Sequence, residues 1–534
     1  MTTLDKSGPP TREERLKACN AFGGTACGLV SGSKGGCLGN YSRGFSQSSG
    51  CQLMLSMAIA GTIPESVIVF HGPSGCGSCL LSMAGLSKQN QAARGNTGNI
   101  GHFWFTTNLG EIEVVNGGEA RLEATLREVE RRLHPQVIFV ACTCVPAIIG
   151  DDVDSVVQKA QADIRAKILP LHCAGFKTKI VATAYDVVYH AMLKYLLQES
   201  DRQPAPVISD ESERRANDER RKRTVNLLNV ASMSRGDELE LKRLIQALGL
   251  EVNILPCFAT PERFLQAKEA ALSVSICATH DDYFVEHLKE LYGVPYLLNT
   301  IPIGTTHTRK WLFEIADFFN VRDRAERVVS AEEGEIRRAL EPLLGTLRGK
   351  RTFVSAGEIR AGAQAILLQE DLGMQVLAVR AHHYDRYGDV LFQDLDPDLP
   401  VNVGPSQPFE QVNLLNRLRP DIYVGHVGGN VWTAKLGIPT LPIFGPNNNY
   451  MGYQGIFEVA TRLQRVLRNP SYFTTLGETT ASPYKKSWLA ADPFTYIRNG
   501  RGPNAETRLA SPSLPTSKGP ILNGEARTYH DHRL

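Results

Sequence analysis

Acidic and basic side chains nearly cancel in this 534-residue chain, 58 lysines and arginines against 56 aspartates and glutamates, for a net charge of +2. The concentrated basic excess of a nucleic-acid-binding protein is therefore missing. Missing too is an apolar run long enough to cross a bilayer. The strongest one, residues 137–149, is too short and is broken by Pro146. Residues 1–10, Met-Thr-Thr-Leu-Asp-Lys-Ser-Gly-Pro-Pro, contain no apolar signal core. The expectation is a cytoplasmic protein that binds neither nucleic acid nor membrane. The runs Gly23-Gly24 and Gly32-Ser33-Lys34-Gly35-Gly36 lack the glycine–lysine–hydroxyl order of a phosphate-binding loop. Any ATP hydrolysis must come from a partner.

What is present describes a multidomain globular chain. Apolar residues make up 42% and charged residues 21%, and the length predicts about three domains. Residues 1–50 form a Gly/Cys-rich segment. Residues 51–198 read as a first α/β domain, with strands over 67–70, 137–142 and 179–183. The 137–142 strand lacks alternation, as a strand buried on both faces does. An amphipathic helix spans 119–133, with Leu122, Leu126, Val129 and Leu133 on one face. Residues 199–223 are polar and charge-rich and read as a linker or loop. A second α/β domain covers 224–345 and a third 346–500. The tail, 501–534, is rich in Pro, Gly, Ser and Asn and has no periodicity.

Eleven cysteines in such a chain point to metal ligands or buried thiols rather than disulfides. Cys51 opens a helix after Ser48-Ser49-Gly50. Cys76 closes the loop His71-Gly72-Pro73-Ser74-Gly75. Cys144 follows the buried strand and precedes Ile149-Gly150-Asp151-Asp152. Three thiols at strand ends and helix starts, with few acids beside them, suit an iron–sulfur cluster, whose negative charge loop amides and helix N-termini offset. Cys277 stands between a predicted strand, 272–277, and a helix beginning near Asp281. Arg360 lies in the turn after a strand over 352–356. Such strand ends are where open α/β sheets bind ligands. A lone cysteine is most simply a small buried hydrophobe. Cys19, Cys27 and Cys37 fit no compact zinc spacing and read as loop or interface thiols, with metal binding the alternative. Cys79 and Cys142 are extra-ligand candidates; Cys142 is more simply a strand residue. His382, His383 and His426 fall near strand ends of the third domain, as core or surface histidines by default.

These motifs resemble those of alpha-type subunits of nitrogenase component one. The resemblance rests on His71-Gly-Pro-Ser-Gly-Cys76, Phe105-Thr-Thr-Asn108 with Gly117-Gly118, Cys144 with Ile149-Gly150-Asp151-Asp152, residues 169–176, Cys277 before Leu291-Tyr292-Gly293-Val294-Pro295, Arg419-Pro420-Asp421, and Gly437-Ile438-Pro439. It implies an α/β fold of three Rossmann-like domains with parallel sheets around a central cluster-binding cleft. It implies that Cys51, Cys76 and Cys144 hold one half of a P-cluster shared with a beta-like subunit. Cys277 would bind an end iron of a larger catalytic iron–sulfur cofactor, with Arg360 beside it. A heterotetramer with the beta-like subunit follows, served by a dimeric iron–sulfur ATPase reductase.

The departures matter as much. Nitrogenase holds the far end of its cofactor with a late histidine; residues 441–450 here contain none. The family's arginine eight residues after the second cluster cysteine is Ala84. Its flanking glutamine and histidine are Val181 and Tyr185. His382, His383 and His426 are the candidates for the missing ligand or a proton donor, and Tyr185 for a proton donor. Within the superfamily the chain most resembles the alpha-like subunit of methylthio-alkane reductase. That implies anaerobic cleavage of a carbon–sulfur bond in a small thioether, releasing methanethiol for sulfur salvage; the missing histidine argues for a cofactor without a heterometal held in the nitrogenase manner, of all-iron type. The alternatives are a cofactor-assembly scaffold or a nitrogenase-like reductase of another substrate. A tetrapyrrole reductase has no need of Cys277, and a cluster-free regulatory protein leaves the placed cysteines unexplained.

Overall fold

The computed structural model describes residues 4, 6–47, 51–78, 81–96, 103–202, 210–298, 301–405, 407–425, 427–445, 447–482 and 484–500. The chain divides into two compact units. The first comprises Met1–Ala18, Gly50–Ile336 and Gly445–Gly455; the second comprises Cys19–Ser49, Arg337–Phe444 and Ile456–Leu534.

The first unit contains two four-stranded sheets, both wholly parallel. One runs Phe103–Thr106, Ser66–His71, Val137–Cys142, Lys167–Leu171 in spatial order. Its two central strands are buried at every residue, as expected of strands covered on both faces. The helix Glu119–Leu133 forms as its periodicity requires. Leu122, Leu126 and Val129 are fully buried against Val67, Val69, Ile138 and Val140, with Leu133 packed at the edge. The other sheet runs Tyr296–Leu297, Leu272–Val274, Thr224–Leu228, Glu251–Leu255. The short strand Leu272–Val274 delivers the chain to Cys277.

The second unit is built on a six-stranded sheet. Its order is Phe22–Thr25, Pro400–Val403, Gln375–Ala381, Arg351–Ala356, Ile422–Gly425, Thr440–Pro442. Five strands are parallel; Phe22–Thr25 pairs antiparallel at the edge. The Gly/Cys-rich N-terminal segment thus supplies an edge strand and, after it, the helix Ala26–Lys34. Parallel α/β layering of this kind is the Rossmann-like architecture the sequence implies.

Two local expectations are corrected. Residues 179–183 are not a strand; the strand is Lys167–Leu171. The amides of Lys179 and Ile180 are taken by the Glu13 carboxylate, at 2.7 and 3.2 Å, so they are spent on a side chain rather than on a neighbouring strand. The stretch 199–223 is not loop throughout. It contains the helix Glu211–Arg221, capped by the Asp210 carboxylate on the Ser212 amide and laced by the exposed pair Arg215–Glu211.

Candidate metal centres

Cys51 is the N-cap residue of the helix Gln52–Ala60. The buried neighbour Gln52 donates through Nε2 to the Ala174 carbonyl at 2.7 Å, which ties this helix start to the loop at Gly175. Cys144 is the first residue of the helix Cys144–Ile149. The two thiols converge on Gly175. A Cβ there would lie 2.8 Å from Cys51 Sγ and 3.7 Å from Cys144 Sγ. A glycine is what lets backbone approach both sulfurs.

Cys76 lies in the short helix Ser74–Ser78, at the end of the adjoining strand Ser66–His71. The loops carrying Cys76 and Cys144 are locked together beneath the thiols. Thr143 donates through both its amide and Oγ1 to the His71 carbonyl, at 3.1 and 3.0 Å. A Cβ on Gly72 would strike Thr143 Oγ1 at 2.0 Å. His71 is fully buried and keeps its pKa below the ordinary histidine value through burial, opposed by Asp151. The neutral ring donates from Nε2 to Asp151, 2.9 Å away, and accepts at Nδ1 from the Thr107 hydroxyl, 3.2 Å away. Asp151 also accepts from the Gly118 amide at 2.9 Å. The motif residues His71, Thr107, Gly118 and Asp151 are thus a brace for two cysteine loops.

Cys51 is exposed, and Cys76 and Cys144 are half-buried. Their sulfurs do not all lie within the 4.8 Å of one another that a single ion would need. One exposed and two half-buried thiols, a bare glycine between two of them and a spacing too wide for one ion are compatible with the ligands of a multi-iron cluster. Cys142 and Cys173 behave differently. Cys142 is a core residue of its strand, and burial pushes its thiol up to about 12. Cys173 is fully buried, and burial, aided by Cys142, Cys51 and Cys144, lifts its thiol well above the usual range. Sequence reading missed Cys173 as a neighbour of the set, because the turn after Lys167–Leu171 was not recognised as a strand end. Cys79, Ala84's side chain and His426 lie outside the described residues.

Cys277 is a second candidate ligand. It is the N-cap of the helix Ala278–Tyr292 and is 2% exposed. The helix starts at Ala278, three residues before the expected point. The Cys277 amide donates to Ser275 Oγ at 2.9 Å, and that hydroxyl donates to Asp281 at 2.7 Å. Burial pushes Asp281 up to about 7, opposed mainly by the Ser275 hydroxyl. Trp311 Nε1 donates to the Ser275 carbonyl at 3.2 Å. One turn into the helix, the His280 ring packs on Tyr185, with centroids 4.3 Å apart. Tyr185 is 6% exposed. A buried thiol at a helix N-terminus suits one thiolate ligand to iron. His280 was not singled out from sequence; its spacing of three from Cys277 was the available signal.

Arg360, His382 and His383 belong to the second unit. Arg360 sits in the first turn of the helix Glu358–Glu370, buried, its guanidinium 5.3 Å from the Phe444 ring centroid. His383 turns to Glu358, with Nε2 3.1 Å from the carboxylate. The His382 amide donates to the Ala356 carbonyl. Cys19, Cys27 and Cys37 do not gather into a ligand set among the described residues. Cys19 is buried in a two-hydrogen-bond bridge with Tyr384, Cys27 is exposed, and Cys37 donates to the Gly35 carbonyl.

Comparison with known proteins converges on one family. The profile of the nitrogenase component 1 type oxidoreductases matches residues 51–468. The nitrogenase molybdenum-iron protein alpha chain of Methanosarcina barkeri is 25% identical over 472 residues, covering 78% of this chain and 84% of that one. The iron-molybdenum cofactor biosynthesis protein NifE of Klebsiella pneumoniae is 27% identical over 420 residues, covering 76% and 87%. Among solved structures, nitrogenase Cp1 at pH 6.5 superposes with a TM-score of 0.67 at 19% identity, covering 83% of this chain and 92% of that one. No helix among the described residues is long and apolar enough to cross a membrane.

Proposed function

The chain belongs to the nitrogenase component 1 type oxidoreductases, and from that premise we propose that it is the catalytic alpha-like subunit of an ATP-dependent reductase of small methylthio-alkanes. The observation that carries a catalytic reading is the coexistence of two thiol centres in one unit. Cys51 and Cys144 meet at the half-buried Gly175, and Cys277 is buried at a helix start.

Cys51, Cys76 and Cys144 would hold half of a P-cluster-type group, and Cys277 one end of a larger iron–sulfur cofactor. When bound, these groups store and deliver electrons at low potential. The rest falls to the chain. The helix N-terminus at Cys277 stabilises a thiolate. Arg360 is proposed as a counter-charge for the reduced cofactor. Tyr185, held against His280, supplies a hydroxyl as proton donor. Val181 and Tyr185, in place of a glutamine and a histidine, favour an apolar thioether. The balanced reaction is R–S–CH3 + 2 electrons + 2 protons → R–H + CH3SH. Electrons come from the dimeric iron–sulfur ATPase, which this chain's lack of a phosphate-binding loop requires to be separate. The domain limits 51–198, 224–345 and 346–500 are proposed as three Rossmann-like units.

A beta-like partner is proposed on the same face as the exposed thiols. Ile148, on the helix that Cys144 opens, and Phe176, next to Gly175, are large apolar residues left 70% and 57% exposed. Ile112 and Val115 are exposed on the helix Glu111–Asn116, which packs against the Cys144 helix. Apolar residues beside an incomplete ligand set mark a surface meant to be covered.

The scaffold reading is favoured by one specific finding: NifE proteins match at 24–27% identity, in the same range as the alpha chains at 24–25%. The two are separated by purifying the anaerobic complex and mixing it with an acceptor lacking its cofactor. A scaffold hands over its iron and activates the acceptor. A reductase keeps its iron through turnover, which is the result expected here.

A further inference from the structure

Besides the cysteines, three metal-ligating side chains of the second unit meet in its interior. Glu358 opens the helix that follows the strand Arg351–Ala356. His383 and Asp385 follow the neighbouring parallel strand Gln375–Ala381, and Ala356 and Ala381 are partners in register. The three thus stand at the carboxyl ends of adjacent parallel strands, where open α/β sheets place ligands. One ligand atom from each lies within 4.8 Å of the other two, and no other trio of such donors does so among the described residues. Glu358 is 0%, Asp385 1% and His383 6% exposed.

The donors are held before any ion arrives. Asp385 Oδ1 accepts from the Tyr387 amide at 3.0 Å, which fixes its carboxylate. Tyr384, between the two ligands in sequence, is anchored from both sides. Its amide and carbonyl exchange hydrogen bonds with Cys19 at 2.9 and 2.8 Å, and its hydroxyl donates to Asp389 at 2.8 Å. Gly388 presses on this knot; a Cβ there would come 2.7 Å from Tyr384 and 3.2 Å from Glu358 Cγ. Such second-layer anchoring is what orients the ligands of a metal site. One imidazole and two carboxylates form the nitrogen/oxygen donor set of divalent first-row metals. Glu358 already faces His383 Nε2 at 3.1 Å, and a dication between them would balance the charge of the two carboxylates.

We propose that Glu358, His383 and Asp385 bind a mononuclear divalent transition-metal ion, separate from the iron–sulfur groups. The ion pins the start of the Arg360 helix to the loop after Gln375–Ala381. This gives His383 a ligand's role rather than that of a proton donor. The fourth position and beyond are left for water or backbone oxygen.

The test uses Co2+ on the full-length chain, because its ligand-field spectrum separates nitrogen/oxygen from thiolate coordination. The site is buried, so cells are grown with Co2+ to load it during folding, and the chain is purified aerobically so that labile iron–sulfur groups do not contribute. The wild-type chain is expected to retain one cobalt ion per chain through dialysis, with weak d–d bands free of thiolate charge transfer. His383→Ala and Glu358→Gln are expected to lose that ion, with at least about a tenfold fall in retention against a chelator. Cobalt held at cysteines instead would persist in both variants. Should a variant fail to fold, Asp385→Asn replaces it, and the wild-type melting temperature is compared with and without chelator. Unchanged cobalt in folded variants, no nitrogen/oxygen cobalt bands in the wild type, or a melting temperature indifferent to chelator overturns the proposal.

Discussion

Adding one methyl group at Gly175 should damage metal binding far more than folding. The new Cβ of Gly175→Ala would sit 2.8 Å from Cys51 Sγ, while ordinary contact begins at 3.4 Å. The sulfur or its loop must therefore retreat by about 0.6 Å, roughly three times the 0.2 Å to which ligand positions need to hold. The retreat is resisted, because Gln52 beside Cys51 is hydrogen-bonded to the Ala174 carbonyl. Overpacking costs about 1–3 kcal/mol in a tight core. Gly175 is only half-buried, and alanine returns up to about 1 kcal/mol by restricting the unfolded chain. The net loss should stay below about 3 kcal/mol. Retention of interface iron against a chelator should fall by about tenfold or more. The assay pairs iron analysis of the anaerobic complex with thermal melting. Gly85→Ala is the control, since its Cβ meets nothing within 4 Å in the helix Leu81–Ala92. It should stabilise by about 0.5–1 kcal/mol and leave iron untouched. Full iron retention in a folded Gly175→Ala protein would refute the convergence of Cys51 and Cys144 on one cluster.

Other consequences are as definite. Cys144→Ala should lower iron at the subunit interface, whereas Cys277→Ala should leave that iron in place and release the second cofactor; equal loss of both spectroscopic signals in Cys277→Ala would contradict two separate centres. Arg12 is fully buried between Asp186 and Asp282, at 3.1 and 2.9 Å, and Arg12→Ala leaves both carboxylates to Arg15 alone, 2.8 and 2.7 Å away, so it should cost about 1–3 kcal/mol in denaturant unfolding. His190 is 1% exposed, donates to the Lys6 carbonyl and accepts from the Tyr283 hydroxyl, and burial pushes it down to about 4. Its folded pKa lies below the unfolded value of 6.5. The unfolded chain therefore binds the extra proton first, and stability is lost as pH falls from 6.5 toward 4, on the order of 3 kcal/mol. Urea titrations across that range should show the slope, and His190→Gln should flatten it; an equal slope in the variant would exclude His190 as its source.

The segments that carry Cys76 and Cys144 were legible because their pattern is local. Strand, turn and cysteine follow one another at 66–76 and 137–144, and the face Leu122, Leu126, Val129 is a plain helical period. Interactions between distant residues hid the rest. Glu13 takes the amides of Lys179 and Ile180, so a β-like sequence there forms no strand. Phe22–Thr25 pairs with Pro400–Val403, nearly four hundred residues on, which no local pattern announces. His383 was singled out as a histidine near a strand end, but its partners Glu358 and Asp385 are set by the register of two parallel strands. His280 against Tyr185 joins two helices, and only their packing reveals it.

The most direct measurement is methanethiol release in an anaerobic mixture of this chain with its beta-like partner, the iron–sulfur ATPase, ATP and reductant, with dimethyl sulfide or a methylthio-alcohol as substrate. Methanethiol should form in step with ATP consumption, and Cys277→Ala should abolish it. Steady ammonia from dinitrogen with no methanethiol from any thioether, or thioether turnover unchanged in Cys277→Ala, would contradict the account.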